Sequence, residues 1–169
     1  RREIADLAAQ GCTYLQIDDV PSAVLCDPRN KDIVRARGED PDKLIDEYFE
    51  LHNQAVRERP KNMLLGVHLC RGNSGHGQAS GGYDPIAERL FNKVQADAYF
   101  LEYDTERAGG FEPLRYLPKD RVAVLAILST KLPALEPFDE VRRKVDAAAK
   151  FVDMERLCLS PQCGFSSSN

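Results

Sequence analysis

Hydrophobic positions along this chain alternate between helical and strand spacing. Residues 1–9 carry Ile4, Leu7 and Ala8 on one helical face, with Gly11 placed for the C-terminal turn. Thr13, Tyr14, Leu15, Gln16 and Ile17 then read as a strand ending at Asp18 and Asp19. The span 41–58 predicts a long helix. Asp40 is placed to cap it, Pro41 falls in its first turn, and Leu44, Ile45, Tyr48, Leu51 and His52 line one stripe. A buried strand is expected over 63–68, a helix over 84–94 and a strand over 98–102. A short helix over 111–117 precedes an almost unbroken apolar strand over 121–128. Phe138, Val141, Val145 and Ala148 mark a late helix, and a last strand covers 157–160. The mixed charges of 29–43 read as a solvated loop.

Strands that are apolar almost throughout fit parallel strands covered on both faces, so the expected class is α/β. Two architectures fit: an open doubly wound sheet, or part of a (β/α)8 TIM barrel. No glycine-rich phosphate loop follows the first strand, where Asp18, Asp19, Val20 and Pro21 stand instead. Polar residues recur at the C-terminal ends of successive strands: Asp18 and Asp19, His68 and Cys70, Glu102 and Asp104, Ser129, Cys163. In a barrel those ends converge on one mouth, where active sites lie. Five strands do not close such a barrel, which takes about 250 residues. Residues 1–169 are therefore expected to be the C-terminal portion of a larger barrel, with no second domain.

Composition narrows the partners. Lys and Arg number 23 against 27 Asp and Glu, a net charge of −4. That balance offers no basic excess for nucleic acid or an anionic membrane. No apolar run approaches the roughly 18 residues of a membrane span, and the opening Arg1-Arg2-Glu3 is unlike a signal peptide. Five cysteines, odd in number and irregular in spacing, argue for a cytoplasmic protein without a disulfide framework. Cys12, Cys26 and Cys158 are expected to pack as small buried thiols, and His52 as a core or interface residue. Self-association is left open.

The chemistry concentrates in four residues. His68 and Cys70 lie two apart at a strand end, so an extended backbone points both side chains the same way. Glu102 ends the next strand and Cys163 follows the last. One imidazole, two thiols and one carboxylate suit zinc far better than calcium or magnesium, which take oxygen ligands. Spacing alone leaves a plainer alternative open, in which the His-x-Cys pair is structural and Glu102 is a charged strand end. A zinc ion held by two thiolates is a weak activator of water. Its natural task is to stabilise a substrate thiolate as a nucleophile, which favours thiol chemistry over hydrolysis.

The strings Gln16-Ile17-Asp18-Asp19, His68-Leu69-Cys70-Arg71-Gly72-Asn73, Leu101-Glu102 and Ser160-Pro161-Gln162-Cys163-Gly164 resemble the C-terminal catalytic barrel of cobalamin-independent methionine synthase. The resemblance runs through nearly the whole chain, in the same order. It implies strands four to eight of the barrel, with zinc held by His68, Cys70, Glu102 and Cys163. It further implies that Asp18 receives the amino group of homocysteine, whose thiolate takes a methyl group from a folate-type donor in methionine biosynthesis. Glu102 is expected to loosen as the substrate sulfur arrives, being the ligand least like the incoming thiolate.

Departures from the family pattern point to its shorter, single-barrel relatives, often labelled methionine synthase II. Asp18 is followed by Asp19 and Val20 where the pattern has a glutamate and a proline. Leu128 stands where long members place a histidine, followed by Ser129, Thr130 and Lys131. The stretch Arg71–Gly82 is a longer, glycine-rich loop. It reads either as a mobile lid or as a solvated surface loop. In the lid reading Gly75, Gly77, Gly81 and Gly82 give freedom, and Arg71, Asn73 and His76 reach a substrate anion. Alkyl transfer to another thiol, such as coenzyme M, is the alternative activity. An inactive zinc-binding fragment is the alternative outside enzymology.

Overall fold

The computed structural model describes residues 1–72, 79–130 and 132–164. Asn73, Gly75, His76, Gly77 and Lys131, named above, lie outside the described residues. Helix α1 spans Arg2–Ala9 and strand β1 Tyr14–Asp18. Helices α2 (Val20–Val24), α3 (Pro28–Ala36) and α4 (Pro41–Val56) lead to β2 (Leu64–Leu69). Helix α5 (Asp84–Lys93) precedes β3 (Ala98–Glu102), and two 3-10 turns, Glu106–Ala108 and Glu112–Tyr116, lead to β4 (Val122–Leu128). Helix α6 (Phe138–Ala148) and a 3-10 turn at Met154–Arg156 precede β5 (Leu157–Pro161).

All five strands are parallel and lie side by side in chain order. Parallel crossovers are almost always right-handed, so chain order places successive connections on the same face of the sheet. A doubly wound sheet would reverse its strand order at a switch point, and this sheet does not. Leu65, Val67, Leu69, Tyr99, Leu101, Ala123, Leu125 and Ile127 are buried in the core on the helix side. The opposite face carries the polar strand-end residues. Register places Asp18 beside His68, His68 beside Phe100, and Glu102 beside Ala126, which pairs with Ser160. Gly66 lies on this face because a Cβ there would meet the Phe100 ring at 2.8 Å.

The span 29–43 is not simply a solvated loop, because α3 occupies Pro28–Ala36. Its N-cap is Asp27, which accepts the Arg29 N–H with Pro28 in the first turn. None of its residues is buried, so it lacks the apolar stripe that reveals a core-facing helix. Helix α2 starts the same way, with Asp19 accepting the Ser22 N–H. His52 is buried, its Nε2 3.0 Å from the Gln95 carbonyl. Cys26 is buried as expected, but Cys12 is half-buried and Cys158 exposed, so the shared burial expected of the three does not hold. Among the described residues no disulfide joins the five cysteines.

The far end of the long loop is pinned. Ala79 donates to the Arg71 carbonyl at 2.9 Å, and Ser80 N–H and Oγ both donate to the buried Asp27 carboxylate. Arg29 and Ser80 hold that carboxyl well below the usual carboxylate range, so the anchor persists into acid. Gly81 adopts φ +97° and donates to the Arg107 carbonyl at 2.9 Å. Gly81 therefore serves close packing rather than lid freedom. A Cβ on Gly81 would sit 2.6 Å from the Cys26 carbonyl oxygen in a conformation that L side chains avoid. Gly81→Ala is expected to destabilise the fold by ~1–3 kcal/mol, read from the denaturant midpoint in urea unfolding.

Candidate metal centre

His68, Cys70 and Cys163 converge at the C-terminal ends of β2 and β5. One ligand atom from each lies within 4.8 Å of the other two. The Cys70 and Cys163 sulfurs are 3.3 Å apart, and Cys163 Sγ lies 3.6 Å from His68 Nε2. Tetrahedral zinc with ordinary bond lengths separates its sulfur and nitrogen ligands by about 3.5–3.8 Å. The Cys163–His68 separation falls in that range and the sulfur–sulfur separation is slightly shorter, so the group is close to the size that a single tetrahedral ion requires. Two thiols and an imidazole are also the donors that zinc prefers.

Mutual polarisation follows from this proximity. The Cys70 thiol is pulled down to about 4, first by its contact with Cys163 and, against burial, by His68 and the Gly72 N–H. Burial pushes the other way on His68, but the hydrogen bond and charge of Cys70, with Asp18 and Glu102 beyond, raise it above its ordinary value. The proximity therefore favours the thiolate form of Cys70 and the protonated form of His68 relative to the free groups.

Glu102 lies outside this set of three. Its side chain is completely buried, and its oxygens accept from the Arg71 backbone N–H at 3.1 Å, the Arg107 guanidinium and the Gln162 amide. Arg107 is shared, bonding both oxygens of Asp104 at 3.2 Å and donating to the Ala79 carbonyl at 2.9 Å. The Tyr83 hydroxyl accepts from the Glu102 backbone N–H at 2.9 Å and donates to the Leu69 carbonyl at 3.3 Å, tying the ends of β2 and β3. These supports were not identified from the sequence. Gln162 sits inside a recognised string, whereas Arg107 and Tyr83 carry no local pattern.

A cavity of about 460 Å³ opens over the centre, lined among others by Gln16, Asp18, His68, Cys70, Phe100 and Cys163. Asp18 is exposed at its rim and accepts from the Gln16 amide at 3.4 Å. Arg71 does not reach into the cavity as expected. It is wholly buried, its guanidinium stacked 4.3 Å from the Tyr83 ring centroid, and its three side-chain nitrogens have no hydrogen-bond partner among the described residues. No helix among the described residues is long and apolar enough to cross a membrane.

No family model matches the chain. Two proteins of Bacillus subtilis (strain 168), the uncharacterized YxjH and YxjG, are each 42% identical to it over 160 and 161 residues, 94% of this chain. The chain spans only 42% and 43% of their lengths. A solved structure of a provisionally assigned vitamin-B12-independent methionine synthase from Listeria monocytogenes is 36% identical, with a TM-score of 0.78. It matches 98% of this chain over 46% of its own. A B12-independent methionine synthase from Shewanella sp. W3-18-1, solved with selenomethionine, shares the fold at a TM-score of 0.72 and 21% identity, again over 46% of its length. The chain thus has the α/β fold of part of these methionine-synthase-like structures.

The charge state of the trio can be tested directly. In metal-stripped protein, alkylation of Cys70 by iodoacetamide, located by mass spectrometry, is expected to keep its rate from pH 8 to about pH 5. An ordinary thiol loses about ten-fold per unit below pH 8.5. A ten-fold loss per unit at Cys70 would refute the thiolate assignment.

Proposed function

We propose that this chain is the zinc-binding part of a thiol S-methyltransferase of the cobalamin-independent methionine synthase type. In this reading it supplies strands four to eight of a (β/α)8 barrel. The observation that carries the proposal is the convergence of His68, Cys70 and Cys163 beneath an open cavity at the strand ends. The half-exposed inner face supports the barrel. Tyr14 and Leu64 are 49% and 61% exposed there, although parallel sheets are normally covered on both faces. That most of the relatives' length lies beyond this match supports it too.

His68, Cys70 and Cys163 would hold zinc, with Glu102 as the fourth ligand. Bound zinc supplies the acidity that keeps a substrate thiol ionised at neutral pH. The chain's own residues do the rest. Asp18, on the cavity rim, offers a carboxylate to the ammonium of a homocysteine-like acceptor, and Gln16 steadies that carboxylate. Phe100 gives the cavity an apolar wall and helps exclude water beside the reacting sulfur. The substrate sulfur attacks the methyl carbon of a folate-type donor, and the donor nitrogen keeps the electron pair of the broken bond. Cysteines without disulfide bonds among the described residues suit the reducing setting of the cytoplasm.

Zinc content separates this reading from a purely structural cluster. Native mass spectrometry is expected to report one zinc per chain. His68→Ala and Cys163→Ser should each lower zinc retention by 100-fold or more on the order of a lost ligand. Cys12→Ser should leave retention unchanged. Equal zinc loss in all three would place the metal elsewhere, and a zinc-loaded protein carrying the whole barrel that methylates no thiol would remove the methyltransferase.

A further inference from the structure

The Glu102 carboxylate is bound in a way that the metal trio alone does not require. A ligand poised only for zinc would need one supporting donor to orient it. Among the described residues three donors from three segments hold it: the Arg71 N–H after β2, Arg107 after β3 and Gln162 after β5. Arg107 is the charged member of the three, and it is divided between Glu102 and Asp104. Both carboxylates are almost wholly shut off from solvent, and the Arg107 guanidinium is an ion-pair partner common to the two.

We propose that Arg107 is a positioning residue that competes with the metal for Glu102, keeping the fourth ligand exchangeable so that a substrate thiol can take its place. This inference rests on the zinc reading above. A carboxylate paired with a guanidinium is a weaker base, and therefore a weaker metal ligand, than the same carboxylate unpaired. Displaced from the metal, Glu102 has its ion pair and the Gln162 amide to receive it, so its release leaves no bare buried anion. Asp104 tunes the competition by drawing on the same guanidinium. The device also reaches the long loop. Arg107 donates to the Ala79 carbonyl, and its own carbonyl accepts from Gly81, so the ends of the Arg71–Gly82 segment and the fourth ligand share one anchor.

The sign of two substitutions distinguishes this role from mere support. Arg107→Gln frees Glu102 for the metal, so zinc release to a chelator is expected to slow about ten-fold, within the range for residues contacting a ligand. In the cobalt-substituted protein, the visible absorption of Arg107→Gln should also stop responding to homocysteine at concentrations that shift the wild type. Asp104→Asn leaves Arg107 wholly to Glu102, so zinc release should accelerate. A purely structural ion pair predicts faster release in both. Faster or unchanged release from Arg107→Gln therefore overturns the proposal.

Should Arg107→Gln fail to fold, Arg107→Lys and Asp104→Asn carry the test. The lysine variant keeps the charge but lacks the fork that spans two carboxylates. Lysine held on Glu102 should release zinc faster than wild type, like Asp104→Asn, and wild-type rates in both variants overturn the proposal. Wild-type protein that binds neither zinc nor cobalt removes the zinc reading together with this inference. Wild-type binding with unaltered release and homocysteine response in the variants removes the inference alone.

Discussion

The burial of the Glu102 carboxylate is the constraint around which the strand ends are organised. An ionised carboxylate withdrawn from water costs on the order of several kcal/mol unless hydrogen bonds and charge replace its solvent. Its replacements come from chain segments 31, 5 and 60 residues away, at Arg71, Arg107 and Gln162. Satisfying one carboxylate therefore fixes where β2, β3 and β5 end relative to one another. Cys70 and Cys163 each adjoin one of those partners in sequence. Their sulfurs meet at 3.3 Å because the residues beside them are already held at Glu102. Tyr83 adds a second tie between β2 and β3, and the buried Arg71 guanidinium lies over its ring.

The same geometry bears on the proposed thiol chemistry. Cys70 is stabilised as a thiolate by Cys163, His68 and the Gly72 N–H, so a metal entering here meets an anionic sulfur. Two sulfurs on a divalent ion neutralise most of its charge and leave little to acidify water. A further sulfur ligand remains favourable, because soft thiolates and zinc match. The surrounding carboxylates, Asp18 and Glu102, add negative potential and strengthen the case against a hydroxide nucleophile. They suit an acceptor that carries an ammonium group.

Much of this was legible in the sequence wherever a periodic pattern or a capped start existed. All five strands fall within a residue or two of the expected spans, since each is an apolar run bounded by turn residues. The polar residues at their C-terminal ends indicated which edge of the sheet holds the site. Helix α4 was readable from Asp40-Pro41 and a helical stripe of which Ile45 and His52 are buried, although Leu51 is exposed and the buried face is completed by Phe49 and Val56, which the expected stripe omitted. Helix α3 begins with the same signal, Asp27-Pro28, but buries nothing, so the cap alone carried the information. The clamp on Glu102 was hidden for another reason. Arg107 and Asp104 act through contacts set by tertiary structure, and no spacing in the chain distinguishes them from surface charges.

Sheet order also decides what the site can be. Parallel strands laid in chain order, with crossovers of one hand, leave one face for side chains from every strand. His68, Phe100, Glu102 and Ser160 share that face through direct register, so the metal trio, the cavity and the clamped carboxylate are consequences of one alignment. A shift of β2 by one residue would turn His68 and Cys70 toward the helices and bring Leu69 to the cavity. The buried Val67 and Leu69 oppose that shift, because it would expose both side chains to water. Hydrophobic burial on one face thus enforces side-chain geometry on the other, and the apolar residues of β2 are as necessary to the candidate metal site as His68 and Cys70 themselves.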